Sequence, residues 1–149
     1  MKKIIGILCL FVMISSCEKD DFCTQNPVTP KLILRFYDDA DRTSTKQAES
    51  LYVWAANKDS IFVNIATDSL VLPLNGNTNQ TIYNFSKAGV IEQLTINYMA
   101  ENEYVSRSCG FKIHFSDISF APSNNWITDF TTIETTLENQ NAAHVQVFH

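Results

Sequence analysis

Apolar and polar residues alternate with a period of two along most of the chain after Lys31, and no segment shows a convincing helical period. This alternation is typical of β-strands that have one buried and one exposed face. Runs rich in Asn, Asp, Gly and Pro separate the apolar segments and predict turns. These turns read NKD (57–59), ATDS (66–69), NGNTNQ (75–80) and APSNN (121–125).

Many short strands at this spacing predict an all-β fold. We expect an antiparallel β-sandwich, immunoglobulin-like, with about 8–9 strands. The chain has 149 residues, which suits one domain better than two. We assign the sandwich to a single domain at residues 31–149.

The register of the segment around the NKD and ATDS turns can be predicted from the turns themselves. If both are hairpin turns, each places Ile61, Val63 and Ile65 on one face of the sheet. Tyr52 and Trp54 are then their cross-strand neighbours on that same face. A slip of one residue would turn all these side chains over, so the agreement indicates that this face is the core face. The alternative is that the two aromatic rings form a platform for a sugar.

Pro73 follows this segment. Because proline has no N–H to donate to a neighbouring strand, it suggests that its strand lies at the edge of a sheet.

A second hairpin is predicted with its turn at Glu101 and Asn102. Its buried side would also carry Arg107, a conflict that a β-bulge near Arg107 or Gly110 would resolve. The apolar side chains expected on that buried side are Leu94, Ile96, Tyr98, Val105, Cys109, Phe111, Ile113 and Phe115.

The N-terminus has the pattern of an export signal at residues 1–16. Lys2 and Lys3 precede the apolar run IIGILCLFVMI (4–14), and two serines follow it. Eleven residues rise about 16 Å as a helix, roughly half of the hydrocarbon core, so we do not expect this run to span a membrane.

The sequence ISSC at positions 14–17 resembles a bacterial lipobox. It predicts that Cys17 receives acyl chains such as palmitate and becomes the new N-terminus, with residues 17–30 as a lipidated tether and lead-in. Several acyl chains anchor a protein stably, at ~0.8 kcal/mol for each buried methylene. The alternative is ordinary secretion, which would leave Cys17 as a plain thiol.

The residues that follow Cys17 indicate where the protein is displayed. Lys19, Asp20 and Asp21 resemble the surface-export signal of Bacteroidota lipoproteins, and we expect an outer-membrane protein that faces the cell exterior. In the alternative, the charges only extend the tether and the protein stays in the periplasmic leaflet.

Two of the four cysteines are left for pairing, because Cys9 is removed with the signal and Cys17 carries lipid. An even pair in an exported protein predicts a disulfide between Cys23 and Cys109. A zinc site is disfavoured because no His or further Cys lies at ligand spacing, and a C-x-x-C redox motif is absent.

The charge of the chain disfavours some partners. The formal net charge is −5, and removal of the signal leaves 9 basic against 16 acidic residues, a charge of −7. Because like charges repel, a protein with this net negative charge is not expected to bind nucleic acid or to be attracted to anionic lipid surfaces.

The segment DDADRTST (38–45) is the best candidate for a metal loop, because Asp39, Asp41 and Thr43 alternate as calcium ligands do. It lacks the central glycine, and Ser50 stands where a bidentate glutamate is needed. We therefore interpret it as an acidic solvated loop and expect no metal or cofactor.

Catalytic residue types are present without a catalytic pattern. On a strand, Asp117 points away from His114 and Ser116, so these three do not form a triad. His144 and His149 have no evident partners. No nucleophile elbow, phosphate loop or metalloprotease motif is present in the sequence, and we predict that the protein is not an enzyme.

Two tripeptides match the O-glycosylation pattern of some Bacteroidota. They are DSI and DSL, with Ser60 and Ser69 as the acceptors. The alternative is that both are ordinary Asp-Ser turn residues.

Several segments together resemble a family of uncharacterised Bacteroidota lipoproteins, a domain of unknown function. These segments are CTQNPVTPKLILRFYDD (23–39), LPLN (72–75), YVSRSCGFKIHF (104–115) and AAHVQVFH (142–149). The resemblance implies a lipid-anchored, β-rich envelope protein and assigns no active-site residues.

The expected function is that of a non-enzymatic binding or accessory module with an unknown protein or glycan partner. The alternative is a structural envelope or adhesion subunit, which would need an exposed sheet edge for assembly.

Overall fold

The computed structural model describes residues 22–24 and 27–149, so the signal peptide predicted at residues 1–16 lies outside the described residues. No helix in the described part is long and apolar enough to cross a membrane. The described residues form strands β1 Leu32–Tyr37, β2 Ala48–Ala55, β3 Ser60–Thr67, β4 Ser69–Leu72, β5 Gln80–Lys87, β6 Val90–Ser106, β7 Gly110–Pro122, β8 Asp129–Thr132 and β9 Val145–Phe148.

These strands form two sheets that pack face to face. One sheet has the order β4-β1-β9-β8 and the other has the order β3-β2-β5-β6-β7. All neighbouring strands with a described register are antiparallel except β1 and β9, which are parallel. The β-sandwich predicted from the sequence is confirmed, and β4, the strand before Pro73, lies at a sheet edge as expected.

The core is built from alternate residues of the strands. In β1, Leu32, Leu34 and Phe36 are fully buried, whereas the residues between them are not. The same alternation is seen in β5 and β6. The predicted burial of Leu94, Ile96, Tyr98 and Phe115 is confirmed.

The chain divides into two compact units. Of the described residues, the first contains 22–24, 27 and 28 together with Tyr104–Lys112. It contains the predicted disulfide between Cys23 and Cys109, with a Cα–Cα distance of 4.7 Å. The second unit consists of Thr29–Glu103 and Ile113–His149 and contains the hydrophobic core.

The predicted core position of Tyr52 and Trp54 is wrong. Their neighbours Leu51 and Val53 are fully buried, while Tyr52 is 38% exposed and Trp54 is half-buried. The aromatic pair therefore lies on the outer face of the five-stranded sheet.

The error in register arises because β3 and β4 do not form a hairpin. β3 pairs with β2 in one sheet, and β4 pairs with β1 in the other, so the chain changes sheets at the ATDS turn. The β2–β3 pairing also has three register shifts, which break the strict alternation. As a result, Ile61 and Val63 are exposed and Ile65 is half-buried.

The turn of the second predicted hairpin is also not at the predicted position, Glu101 and Asn102. β6 continues through Glu101 and Asn102, and the turn lies between Ser106 and Gly110. Arg107 is exposed in this turn, which removes the conflict over its burial, and Gly110 has a positive φ of 73°. Phe111 was expected in the core and is 64% exposed.

A buried carboxylate links β6 to the segment between β7 and β8. Glu92 lies on the core side of β6 and is fully buried. Its carboxylate accepts hydrogen bonds from the Ser123 hydroxyl and from the N–H groups of residues 124, 125, 126 and 127. Burial acts to raise the pKa of Glu92, but these hydrogen bonds together outweigh it and lower the pKa from the ordinary 4.5.

Glu92→Gln should reduce the free energy of unfolding by about 2–3 kcal/mol, because the amide group places N–H donors against backbone N–H donors. The contribution of Glu92 is fully present above pH 4.5 and is lost as the pH falls through its lowered pKa. The difference between variant and wild type should therefore shrink in acid.

Urea titrations between pH 3 and pH 7 measure this difference. Glu101→Gln, at an exposed position of the same strand, is the control and should change stability by less than about 0.5 kcal/mol. Equal losses in the two variants would contradict the role of Glu92.

The register of β2 predicts opposite responses at adjacent positions. Val53→Ala should cost about 2 kcal/mol because it opens a cavity in the core, whereas Tyr52→Ala should cost less than about 1 kcal/mol. Thermal and urea unfolding of the two variants compares these losses. A larger loss in the Tyr52 variant would refute this register.

Candidate functional site

An aromatic pair lies on the outer face of the five-stranded sheet. Tyr52 and Trp54 are two residues apart on β2, so their side chains leave the same face about 7 Å apart. They line an open depression of about 500 Å³, which we call the aromatic depression. Its lining residues are Tyr52, Trp54, Lys58, Asp59, Ser60 and Ser86.

Strand pairing places small polar side chains beside both rings. Tyr52 lies opposite Ser86 of β5, and Trp54 lies between Asn84 of β5 and Ser60 of β3. The Asn84 side-chain oxygen accepts a hydrogen bond from the Gln93 amide at 3.2 Å. Hydroxyl and amide groups therefore flank the aromatic surface.

The turn between β2 and β3 forms the rim of the depression. Asn57 has a positive φ of 61°, a conformation that asparagine tolerates better than most residues, and the Lys58 N–H bonds to the Ala55 carbonyl at 3.0 Å. This tight turn leaves Lys58 and Asp59 exposed. The rim thus has one positive and one negative charge, which balance each other.

This arrangement suits a polar ligand that has an apolar face. Aromatic faces pack against C–H groups, while hydroxyl and amide side chains bond to hydroxyl groups at the ligand's edge. The lining has a single carboxylate, Asp59, and no histidine or cysteine, so it lacks the paired groups of acid–base catalysis. The geometry excludes the core interpretation of Tyr52 and Trp54.

A second depression, of about 600 Å³, lies beside β5 and the segment after β4. Two buried tyrosine hydroxyls bond to backbone carbonyls of its lining residues. The Tyr83 hydroxyl donates to the Pro73 carbonyl, and the Tyr98 hydroxyl donates to the Asn75 carbonyl at 2.9 Å. Burial, with a smaller effect of Tyr98, raises the pKa of Tyr83 to about 12. The Tyr83 hydroxyl is therefore protonated at neutral pH and acts as a hydrogen-bond donor.

The loop considered for calcium satisfies its own carboxylates. Asp41 accepts hydrogen bonds from the hydroxyls of Ser44 and Thr43 and from the Thr43 N–H, and these bonds lower its pKa. Asp39 pairs with Arg42 at 2.8 Å. In residues 22–24 and 27–149, no three His, Cys, Asp or Glu side chains are grouped to bind a metal. The carboxylates of Asp39 and Asp41 are thus bonded within the loop itself.

The structure does not assemble a triad from His114, Ser116 and Asp117. β7 runs without a break through all three residues, but its buried residues Phe115 and Ile118 are three apart, and Asp117 between them has a positive φ of 52°. His114 lines a shallow depression together with residues 101–103.

His144 is a buried structural residue. Its Nδ1 accepts a hydrogen bond from the Ile33 N–H at 3.0 Å, and its Nε2 lies 3.0 Å from the Asn139 carbonyl. Because one ring nitrogen accepts and the other donates, the ring is the neutral Nε2–H tautomer.

His149 belongs to a cluster that sequence analysis did not find. Its ring lies edge-on to Phe36 and Trp126, and its Nδ1 is 2.6 Å from the Lys87 ammonium. Burial, followed by the charges of Lys87 and Lys46, lowers its pKa to about 4, so the ring is neutral at pH 7. The partners come from three distant segments, and no local pattern indicates them.

The remaining predicted site residues have different surroundings. Ser60 is exposed at the aromatic depression, whereas the Ser69 hydroxyl donates to the Leu34 carbonyl at 3.2 Å and is half-buried. Both serines lie in strands rather than turns. Cys17, Lys19, Asp20 and Asp21 lie outside the described residues.

Residues 50–149 match a protein family described as a family of unknown function, DUF6452. The matched segment includes the whole aromatic depression and Cys109. No curated protein and no solved structure matches the chain. Because the match covers about two thirds of the sequence, the chain belongs to the DUF6452 family.

Proposed function

We propose that the protein is a non-enzymatic, lipid-anchored envelope protein that binds a glycan in the aromatic depression. The observation that carries this proposal is the placement of Tyr52 and Trp54. Both rings lie on the outer face of β2, whose inner face fills the core with Leu51 and Val53.

The polar groups around the rings favour a neutral, hydroxyl-rich ligand. Ser60, Ser86 and Asn84 have no charge, and Lys58 and Asp59 balance each other. A phosphate or nucleic-acid ligand would require several cations. A sugar ring requires an aromatic surface for its C–H face and donors and acceptors for its hydroxyls.

The size of the depression also favours a small ligand. Its volume of about 500 Å³ lies within the range of small-molecule sites, ~300–1,000 Å³. Six side chains line it, while a standard protein interface uses about 20–30 residues on each side. A glycan of one or a few units fits this scale better than a protein partner.

The proposed subcellular location is the outer membrane. A basic start, an apolar run and the lipobox-like ISSC support lipidation at Cys17, and Lys19, Asp20 and Asp21 support display on the cell surface rather than in the periplasmic leaflet. The resemblance to Bacteroidota lipoproteins supports the same location. O-glycosylation of Ser60 would occupy the depression, so we do not expect a glycan on that serine when the ligand is bound.

The alternative role as a structural envelope or adhesion subunit depends on pairing at a sheet edge. β3 is an edge strand, but its pairing with β2 has three register shifts, and Asn64 has a positive φ of 50°. Bulges of this kind twist an edge away from further strands. The β3 edge is therefore poorly suited to pairing with another chain.

Replacing the larger ring should abolish most of the glycan binding. Trp54→Ala should weaken affinity by about 5- to 150-fold, because a stacked aromatic ring contributes about 1–3 kcal/mol to binding of a planar or ring-shaped ligand. A glycan array with the wild-type protein identifies the ligand, and calorimetry measures the affinity of each variant.

Tyr104→Ala is the matched control, because Tyr104 is an exposed aromatic residue outside the depression. The glycan affinity of this variant should equal that of the wild type. Absence of glycan binding by the wild type, or equal affinity of wild type and Trp54→Ala, would count against the proposal.

Anchoring can be tested separately from binding. Cys17→Ala should move the protein from the membrane pellet to the soluble fraction, because it removes the acceptor of the acyl chains. Wild type and Cys23→Ala serve as references, and both should stay with the membrane. A Cys17 variant that remains in the pellet, together with a wild-type Cys17 found by mass spectrometry to carry no acyl chain, would refute lipid anchoring.

A further inference from the structure

The end of the β6–β7 hairpin exposes an unusual amount of aromatic surface. Phe22 is 82% exposed, Phe111 is 64% exposed and Tyr104 is 60% exposed. Among the aromatic residues of the described ranges, these three are the most exposed. The rings of Tyr104 and Phe111 meet edge to face, with 5.4 Å between their centroids, so they form one apolar patch.

The disulfide joins Phe22 to this part of the hairpin. Phe22 precedes Cys23, and Phe111 follows Cys109 by two residues. The turn itself is well bonded, because the Cys109 N–H donates to the Ser106 hydroxyl at 3.0 Å. We call Phe22, Tyr104 and Phe111 the hairpin-end aromatics. All of them belong to the first compact unit.

The chain between the disulfide and the proposed anchor is short. Cys17 and Cys23 are six residues apart, and six residues reach at most about 20 Å when fully extended. An acylated Cys17 lies at the bilayer surface, so the disulfide and the turn joined to it stay within about 20 Å of that surface. The exposed aromatics next to the disulfide therefore have a bilayer within reach.

The chemistry of the three side chains suits the boundary between headgroups and acyl chains. Tyrosine has an apolar ring with a polar tip and is enriched at membrane interfaces, and phenylalanine contributes apolar area. The mature chain has about seven more acidic than basic residues, so attraction to anionic lipid does not explain such a contact. The contact would be apolar and insensitive to salt.

We propose that the hairpin-end aromatics form a membrane-contact surface that inserts into the interfacial region of the bilayer holding Cys17. This proposal rests on the lipid anchor proposed above and adds a second point of attachment. Two attachments that are linked by a short chain reinforce each other, because the anchor keeps the aromatics at a high local concentration near the bilayer.

The test uses the full lipidated protein in zwitterionic phospholipid vesicles. Phe111→Trp places a fluorophore on the patch, and the wild-type spectrum is subtracted to remove the emission of Trp54 and Trp126. The added emission should shift to shorter wavelength, and lipids brominated near the headgroup should quench it at least twofold. The quenching should be the same in 0.1 M and 1 M NaCl.

Ile133→Trp is the matched control, because Ile133 is an apolar residue that is 51% exposed and belongs to the second unit. Its emission should remain that of a water-exposed indole and should not be quenched. Mass spectrometry of the N-terminal peptide reports acylation of Cys17 in each preparation.

The outcomes separate the two proposals. If Cys17 carries no lipid and the protein leaves the vesicles, both the anchor and the contact surface are refuted. If Cys17 is acylated and the protein stays with the vesicles, but Phe111→Trp behaves like Ile133→Trp, the contact surface is overturned and the anchor stands. A shifted and quenched signal only in Phe111→Trp supports both.

Discussion

The burial of one face of each sheet against the other is the constraint on which the remaining structure depends. Leu51 and Val53 fill the core from β2, and this leaves no inward position for the residues between and after them. Tyr52 and Trp54 consequently point outward, beside the polar residues of β5. The candidate binding surface is thus a consequence of how the core is packed.

Buried polar groups stabilise the segments that lie between strands, after β7 and before β9. Glu92 accepts hydrogen bonds from four consecutive N–H groups after β7, and His144 bonds to both the start of β1 and the segment before β9. Each of these groups is costly to bury alone and is satisfied by the chain. They stabilise the loops and contribute no reactive group to the surface.

The two proposed surfaces use aromatic residues for different purposes. At the aromatic depression, Tyr52 and Trp54 are mixed with hydroxyl and amide groups, which suits a ligand with many hydrogen-bonding groups. Near the disulfide, Tyr104 and Phe111 contact each other, and this apolar patch suits a lipid interface. The neighbouring polar groups, rather than the rings, distinguish the two.

Local pattern was enough to predict strands, a sandwich and the Cys23–Cys109 pair, because a period of two and a count of cysteines need no knowledge of distant partners. The outward position of Tyr52 and Trp54 could not be predicted in the same way. The sequence offered Tyr52 and Trp54 either as core residues or as a platform, and only the tertiary structure showed that they lie outside the core. The face that a strand buries depends on its neighbours. The change of sheets after β3, the bulges in β2–β3 and the pairing of β1 with β9 all depend on residues far apart in the chain.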